Sequence, residues 1–289
     1  MNFDASPENM ARMAAQGLPL HPPPEEADID AVLERLAIAF SASADTVSEA
    51  RKLLHSRFSI KMQMGQTIKG EHQHAPWLDV RRGTIDPFYW SRYREFLIRD
   101  DWPPLVVGTL DRSMDELLDL LGDPIVTGSW KRRGLVVGDV QSGKTASYAA
   151  LICKAADAGY KMVILLSGTL ENVRRQTQAR LDAAFVGLDS RAFLARNQLK
   201  QKMRIGVGHI NGQRDGIVFT SRDRDFRAAI ASALNISLNS VREPVLVVAK
   251  KHKGVLSNLA TWLRTMNADR EGRIDLPLLL IDDEADNAS

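Results

Sequence analysis

Residues 134–145 read GLVVGDVQSGKT, and the fold is decided by how this stretch is read. Leu135, Val136 and Val137 form a short apolar run of the kind a buried parallel strand carries, which predicts a first strand over 135–138. Gly138, Gly143, Lys144 and Thr145 fit G-x-x-x-x-G-K-[ST]. ASYAALICKAADAG follows, a run of good helix formers closed by Gly159. Strand, glycine loop and helix, in that order, are the setting of a phosphate-binding loop. The residue types follow from the chemistry. Glycines let backbone N–H groups turn inward around phosphates, and the helix N-terminus adds a partial positive charge. Lys144 is expected to reach the β- and γ-phosphates, and Thr145 to hold Mg²⁺ through its hydroxyl. The expected phosphate contacts are Gly138, Gln141, Ser142, Gly143, Lys144, Thr145 and Ala146.

Downstream, apolar runs alternate with helix-periodic segments, the pattern of an α/β fold with a parallel sheet. Strands are predicted at Met162–Leu166, Val245–Val248 and Leu278–Ile281, and helices at about Glu171–Ala184 and Val255–Met266. Strand-like stretches also occur at 203–210 and 216–220. The last strand runs into Asp282, Asp283, Glu284, Ala285 and Asp286. A strand ending in acids suits a Mg²⁺-bound nucleotide: one carboxylate holds the metal and the next residue orients the attacking water. Asp283 is assigned to the metal and Glu284 to the water, with Asp282 exchanging roles with Asp283 if the register is one off. Lys144 and Glu284 are thus the expected catalytic residues. The chain has no N-K-x-D motif, which argues against a guanine-nucleotide enzyme.

These residues carry a resemblance. VVGDVQSGKT, LLSGTLENVRRQTQ and IDDEADNAS resemble motifs one, one-a and two of superfamily-two helicase-like ATPases. SWKRRGLVVGDVQSGKTASYAALICKAADAGYK is similar to the N-terminal ATPase part of bacterial proteins that carry the endonuclease-like Z-one domain, and the likeness spans about 77–289. It implies a RecA-like P-loop domain, ATP and Mg²⁺ as cofactors, and work on nucleic acid in restriction or phage defence, with DNA favoured over RNA. It also implies a second RecA-like lobe and an endonuclease-like domain beyond this sequence, in the same polypeptide or a partner chain. On that expectation residues 1–289 bind nucleotide but turn it over poorly. Thr169, Arg174, Arg175 and Gln176 fall where motif one-a touches the strand backbone. Trp130 precedes the first strand, where such ATPases often hold adenine, so its ring is either a base platform or core. The alternative is a nucleotide-switched binding module that recruits a partner with little turnover.

The remainder bounds these readings. With 38 basic and 36 acidic residues, net charge names no partner. Residues 174–227 nevertheless hold twelve basic and five acidic side chains, and Lys250, Lys251 and Lys253 form a second basic cluster. The single cysteine, Cys153, excludes an internal disulfide framework. No apolar run approaches membrane-spanning length, so no membrane partner and a cytoplasmic location are expected. Residues 1–27, acidic and ending in Pro22–Pro24, read as a flexible arm. A helical domain is expected over 28–125 and the RecA-like ATPase domain over 126–289. Within the helical domain, Val32, Leu33, Leu36 and Phe40 repeat at helix spacing, and a second helix is expected over Asp45–Ser56. Residues 58–76 look irregular with a short strand-like run at Phe58–Met62, and the His72–His74 spacing does not suit a zinc site. The aromatics of 77–102 read as core. Pro103–Pro104 read as breakers, followed by a short helix capped at Ser113 with Glu116.

Overall fold

A computed structural model describes residues 6–18, 26–58, 74–136, 144–191, 203–233, 238 and 242–283. The chain divides into two compact units that alternate along the sequence. The first takes in Met1–Ala75, Leu97–Leu117 and Gly134–Ser147; the second takes in Pro76–Phe96, Leu118–Arg133 and Tyr148–Ser289.

In the first unit, α1 (Pro7–Gly17), α2 (Glu26–Phe40) and α3 (Ala44–Phe58) pack around Met10, Ala14, Leu18, Ile29, Leu33 and Ala50. The sequence reading of a flexible arm is corrected over 6–18. Ser6 accepts the Asn9 N–H at 3.4 Å and Pro7 opens the helix, where its missing N–H costs nothing. Met10 and Ala14 are then one turn apart on a buried face. The two helices expected over 28–40 and 45–56 are present as α2 and α3. Residues 59–73, including the expected irregular stretch with His72, lie outside the described residues.

α4 (Leu78–Arg81), α5 (Phe88–Arg99) and α6 (Pro104–Leu120) follow. Trp77, Phe88, Tyr89, Trp90 and Tyr93 are buried, as their clustering suggested. α6 corrects the reading of a short helix from Ser113. Pro104 starts the helix instead of breaking it, because proline is well suited to a first turn, and Ser113 sits in the helix interior.

The second unit is an α/β layer structure. α7 (Lys144–Ala158), which belongs to this unit from Tyr148 onward, leads through Gly159 into β1 (Met162–Ser167), and α8 (Glu171–Leu181) follows, continued by one π-helical turn at Asp182–Val186. Then come β2 (Ile217–Val218), α9 (Ala228–Ala233), β3 (Val245–Ala249), α10 (Lys253–Asn267) and β4 (Leu278–Asp283). The four strands make one all-parallel sheet in the order β2-β3-β1-β4. Central β1 and β3 are apolar on both faces, as a covered parallel sheet requires. One face, with Met162, Ile164, Val245 and Val247, packs on Leu259 and Trp262 of α10. Trp262 meets Phe219 and Phe226 edge-on, with ring centres 5.1 and 5.6 Å apart.

Two strand expectations are not met among the described residues. Leu135 and Val136 carry no strand and are exposed, and 137–138 lie outside the described residues. The stretch 203–210 forms only a bridge from Arg204 to Leu188 and a 3₁₀ turn at Gly206–His209. Its chain runs too close to the π-helical turn to build a ladder. A Cβ on Gly208 would lie 2.0 Å from the Gly187 carbonyl oxygen, and one on Gly206 2.0 Å from that of Ala183. Buried Arg92 on α5 clasps this crossing by donating to the carbonyls of Phe185, Asn211 and Arg214 at 2.5, 3.0 and 2.8 Å.

Candidate functional site

Because β1, β3 and β4 are parallel, their C-terminal ends share one rim, the place where open α/β sheets bind ligands. β1 ends at Ser167, and Gly168 follows with φ +75°, which lets the chain turn sharply away. The Gly168 carbonyl accepts the N–H of Lys251, just beyond β3, at 2.8 Å. The loops after β1 and β3 are therefore tied together.

From that anchored position Lys251 reaches across the end of β1 to β4, where its Nζ lies 2.6 Å from Asp282 Oδ1. Its side chain is only 8 % exposed. Asp282 pairs in register with Leu166 and Asp283 with Ser167, and alternation sends the two carboxylates to opposite faces. Asp282 is thus engaged by a lysine.

The neighbouring Lys250 turns toward α8, its Nζ lying 3.0 Å from Glu171 Oε2. Glu171 Oε1 also accepts from Arg174 Nε at 3.0 Å and Nη2 at 2.7 Å. Burial alone would raise the Glu171 carboxyl, but the hydrogen bonds from Arg174 and Lys250 bring it down to about 2. Arg174 continues inward, donating to the carbonyls of Ser221 at 2.8 Å and Arg222 at 3.1 Å. Below it, Gln178 donates to Asp182 at 2.8 Å and accepts from Thr220 at 2.7 Å, and the Thr220 hydroxyl accepts the Val248 N–H at 2.9 Å. This chain of bonds fixes α8 against β3.

The nucleic-acid candidates divide accordingly. Arg174 has no exposed surface and spends its donors on the fold. Thr169, Arg175 and Gln176 are exposed on the same stretch. Arg175 donates to Glu171 over 3.4 Å, with more than half of its side chain in solvent. Trp130 is half-buried. Its ring lies against Gly122, where a Cβ would meet it at 2.6 Å, and edge-on to Tyr160 at 6.1 Å. That packing answers for one side of the indole.

Lys144 and Thr145 are the first two residues of α7, Thr145 is half-buried and Ala146 is buried. Gly138, Gln141, Ser142 and Gly143, the Lys144 side chain, Glu284 and Asp286 lie outside the described residues. A hydroxyl at a helix start and a carboxylate at a strand end are hard oxygen donors of the kind Mg²⁺ prefers. Among the described residues no cluster of three His, Cys, Asp or Glu side chains forms a ready-made metal cage. A single carboxylate beside substrate phosphates is the usual arrangement for Mg²⁺.

Sequence reading missed the partners of Lys250 and Lys251, which it saw only as a basic cluster. The signal available was two adjacent lysines directly after an apolar strand, the position from which a side chain overhangs the rim. Among the described residues no helix is long and apolar enough to cross a membrane. No family model matches the chain, and neither a curated protein nor a solved structure matches it.

Proposed function

We propose that this chain is the ATP-binding core of a RecA-like P-loop ATPase that acts on nucleic acid. The observation supporting it is the all-parallel sheet with Asp282–Asp283 on its C-terminal rim, in a chain whose α7 opens on the Lys144–Thr145 of a complete glycine motif. In this reading the loop 138–143 and Lys144 bind the phosphates, and Thr145 and Asp283 hold Mg²⁺. Glu284 orients water. Mg²⁺, when bound, neutralises charge on the phosphates. Thr169, Arg175 and Gln176 contact a nucleic-acid backbone, with Arg174 supporting them from beneath. The resemblance adds the setting of restriction or phage defence, DNA as the favoured strand, and the cytoplasm as the location.

Titration calorimetry with a non-hydrolysable ATP analogue tests the nucleotide site. Lys144→Ala is expected to weaken binding by more than about tenfold while the fold persists. Unchanged affinity in the folded variant overturns the proposal. Glu284→Gln is expected to keep Mg-ATP binding and lose hydrolysis. Hydrolysis rates with and without single-stranded DNA then separate a motor, whose rate rises, from a nucleotide switch, whose rate stays flat.

A further inference from the structure

The second unit has a cavity at the N-terminal edge of its sheet, the end away from the acidic rim. Lys161 stands one residue before β1 and Pro244 one residue before β3. With Tyr89, Asp157, Arg242 and Glu243 they line a cavity of about 520 Å³, within the size range of small-molecule sites. Its wall is fixed. Asp157, near the end of α7, accepts the N–H groups of Tyr89 and Trp90 at 2.8 Å each and so pins the start of α5. Asp86 and Arg214 complete the lining and pair with each other.

Two cations in this lining are left over. Lys161 Nζ donates to the main-chain carbonyl of Arg242 at 3.3 Å, which brings the ammonium beside that residue. Neither side chain has a carboxylate partner among the described residues. Glu243, next to Arg242 in the chain, is the obvious counterion, yet it accepts the Tyr89 hydroxyl instead. Burial, and after it the bond to Glu243, raises the tyrosine pKa, so the hydroxyl stays a donor. Neighbouring cations without an anion between them repel one another, and an incoming anion relieves that repulsion. A phosphate suits the pair, because a guanidinium offers it parallel N–H groups and an ammonium a point charge. The carboxylates alongside can accept from hydroxyls. Tyr89 is only 3 % exposed, which leaves no ring face on which a nucleic-acid base could stack. We propose that this cavity binds a small hydroxylated phosphate ester, with Lys161 and Arg242 holding the phosphate and Tyr89 keeping Glu243 off them. The inference is independent of the proposed nucleotide site, which lies at the other end of the strands.

Calorimetric titration of the full chain with ribose 5-phosphate tests this, with single-stranded oligodeoxythymidine as a second probe. The wild type is expected to bind ribose 5-phosphate. Lys161 is half-buried and Arg242 exposed, so neither Lys161→Met nor Arg242→Met should disturb the fold. Each should weaken binding about fivefold or more. Tyr89→Phe leaves the net charge unchanged but frees Glu243 to pair with the cations. It should weaken binding by a similar factor, a loss that surface charge alone does not produce, and adding Glu243→Gln should restore it. Should Tyr89→Phe fail to fold, as seen by circular dichroism, the two cation variants still carry the test. No binding of ribose 5-phosphate by the wild type, or curves that coincide for wild type, Lys161→Met and Arg242→Met, overturn the inference. So does a folded Tyr89→Phe that binds as the wild type does. Binding of the oligonucleotide alone, weakened in Lys161→Met, overturns it in favour of a nucleic-acid contact at this edge.

Discussion

Two arginines side by side on α8 do different work, and substitution separates them. Arg174 is fully buried and supports two carbonyls and Glu171, so Arg174→Ala leaves Ser221 and Arg222 unpaired around a cavity. A loss of about 2–4 kcal/mol in urea unfolding is expected. Arg175→Ala should change stability by less than about 0.5 kcal/mol. It should instead weaken DNA binding, with a log–log salt slope shallower by about 1. Sequence alone gave both residues the same motif position, because burial depends on the Ser221–Arg224 turn about 47 residues further on. Asp157 offers a second test. Burial pushes its carboxyl up to about 7, even though Tyr89 and Trp90 each donate a backbone N–H to it at 2.8 Å. Burial likewise pushes Asp182 up to about 6. Between the unfolded value of about 4 and these folded values, the native state keeps protons that the unfolded chain has lost. Stability contributed by these two groups therefore falls as pH rises from about 4 to 7 and levels off above. Asp157→Asn should flatten the decline in urea midpoint between pH 5 and 7.5, and an unaltered profile would show that Asp157 does not titrate there.

Elements were legible where an apolar run met a clear stop. β1, β3 and β4 each show four or more consecutive apolar residues, and α8 and α10 follow directly at helix period. α1 was hidden because its buried face uses Met10, Ala11 and Ala14, small or flexible residues that raise little hydrophobic signal beside six acids in residues 1–30. α6 was cut in two because proline was read as a stop, when at a first helical turn it is a start. Leu135 and Val136, exposed and outside any strand, show that apolar residues need a neighbour to pair with before they make a strand. The tie between α8 and β3 is itself testable. Thr220→Val keeps the shape but removes the hydroxyl that bridges Gln178 and the Val248 N–H. A loss of about 1–3 kcal/mol is expected in thermal or urea melts, and no change would mean that packing alone holds α8.

At the scale of the whole molecule, the second unit gathers 76–96 and 118–133 as well as 148–289. Trp77 donates its indole N–H to the Leu121 carbonyl at 2.9 Å, and Tyr160 donates to the Gly122 carbonyl at 2.6 Å. A fragment of residues 126–289 loses the Trp77–Leu121 pair and the Gly122 carbonyl that Tyr160 donates to, and should melt at a lower temperature and less cooperatively than 76–289, as read by near-ultraviolet circular dichroism. Equal melting would show that the sheet stands without the aromatic segment. The sequence showed the sheet but not this interleaving, since nothing local marks Tyr89 as the partner of Glu243, 154 positions away. That separation has a consequence during synthesis. At about 5–20 residues per second, roughly 8–30 seconds pass between the ribosome releasing Tyr89 and releasing Glu243. Through that interval Tyr89 is out of the exit tunnel without the Glu243 carboxylate it donates to in the folded chain. The nascent chain is therefore a natural client for ribosome-associated holdases.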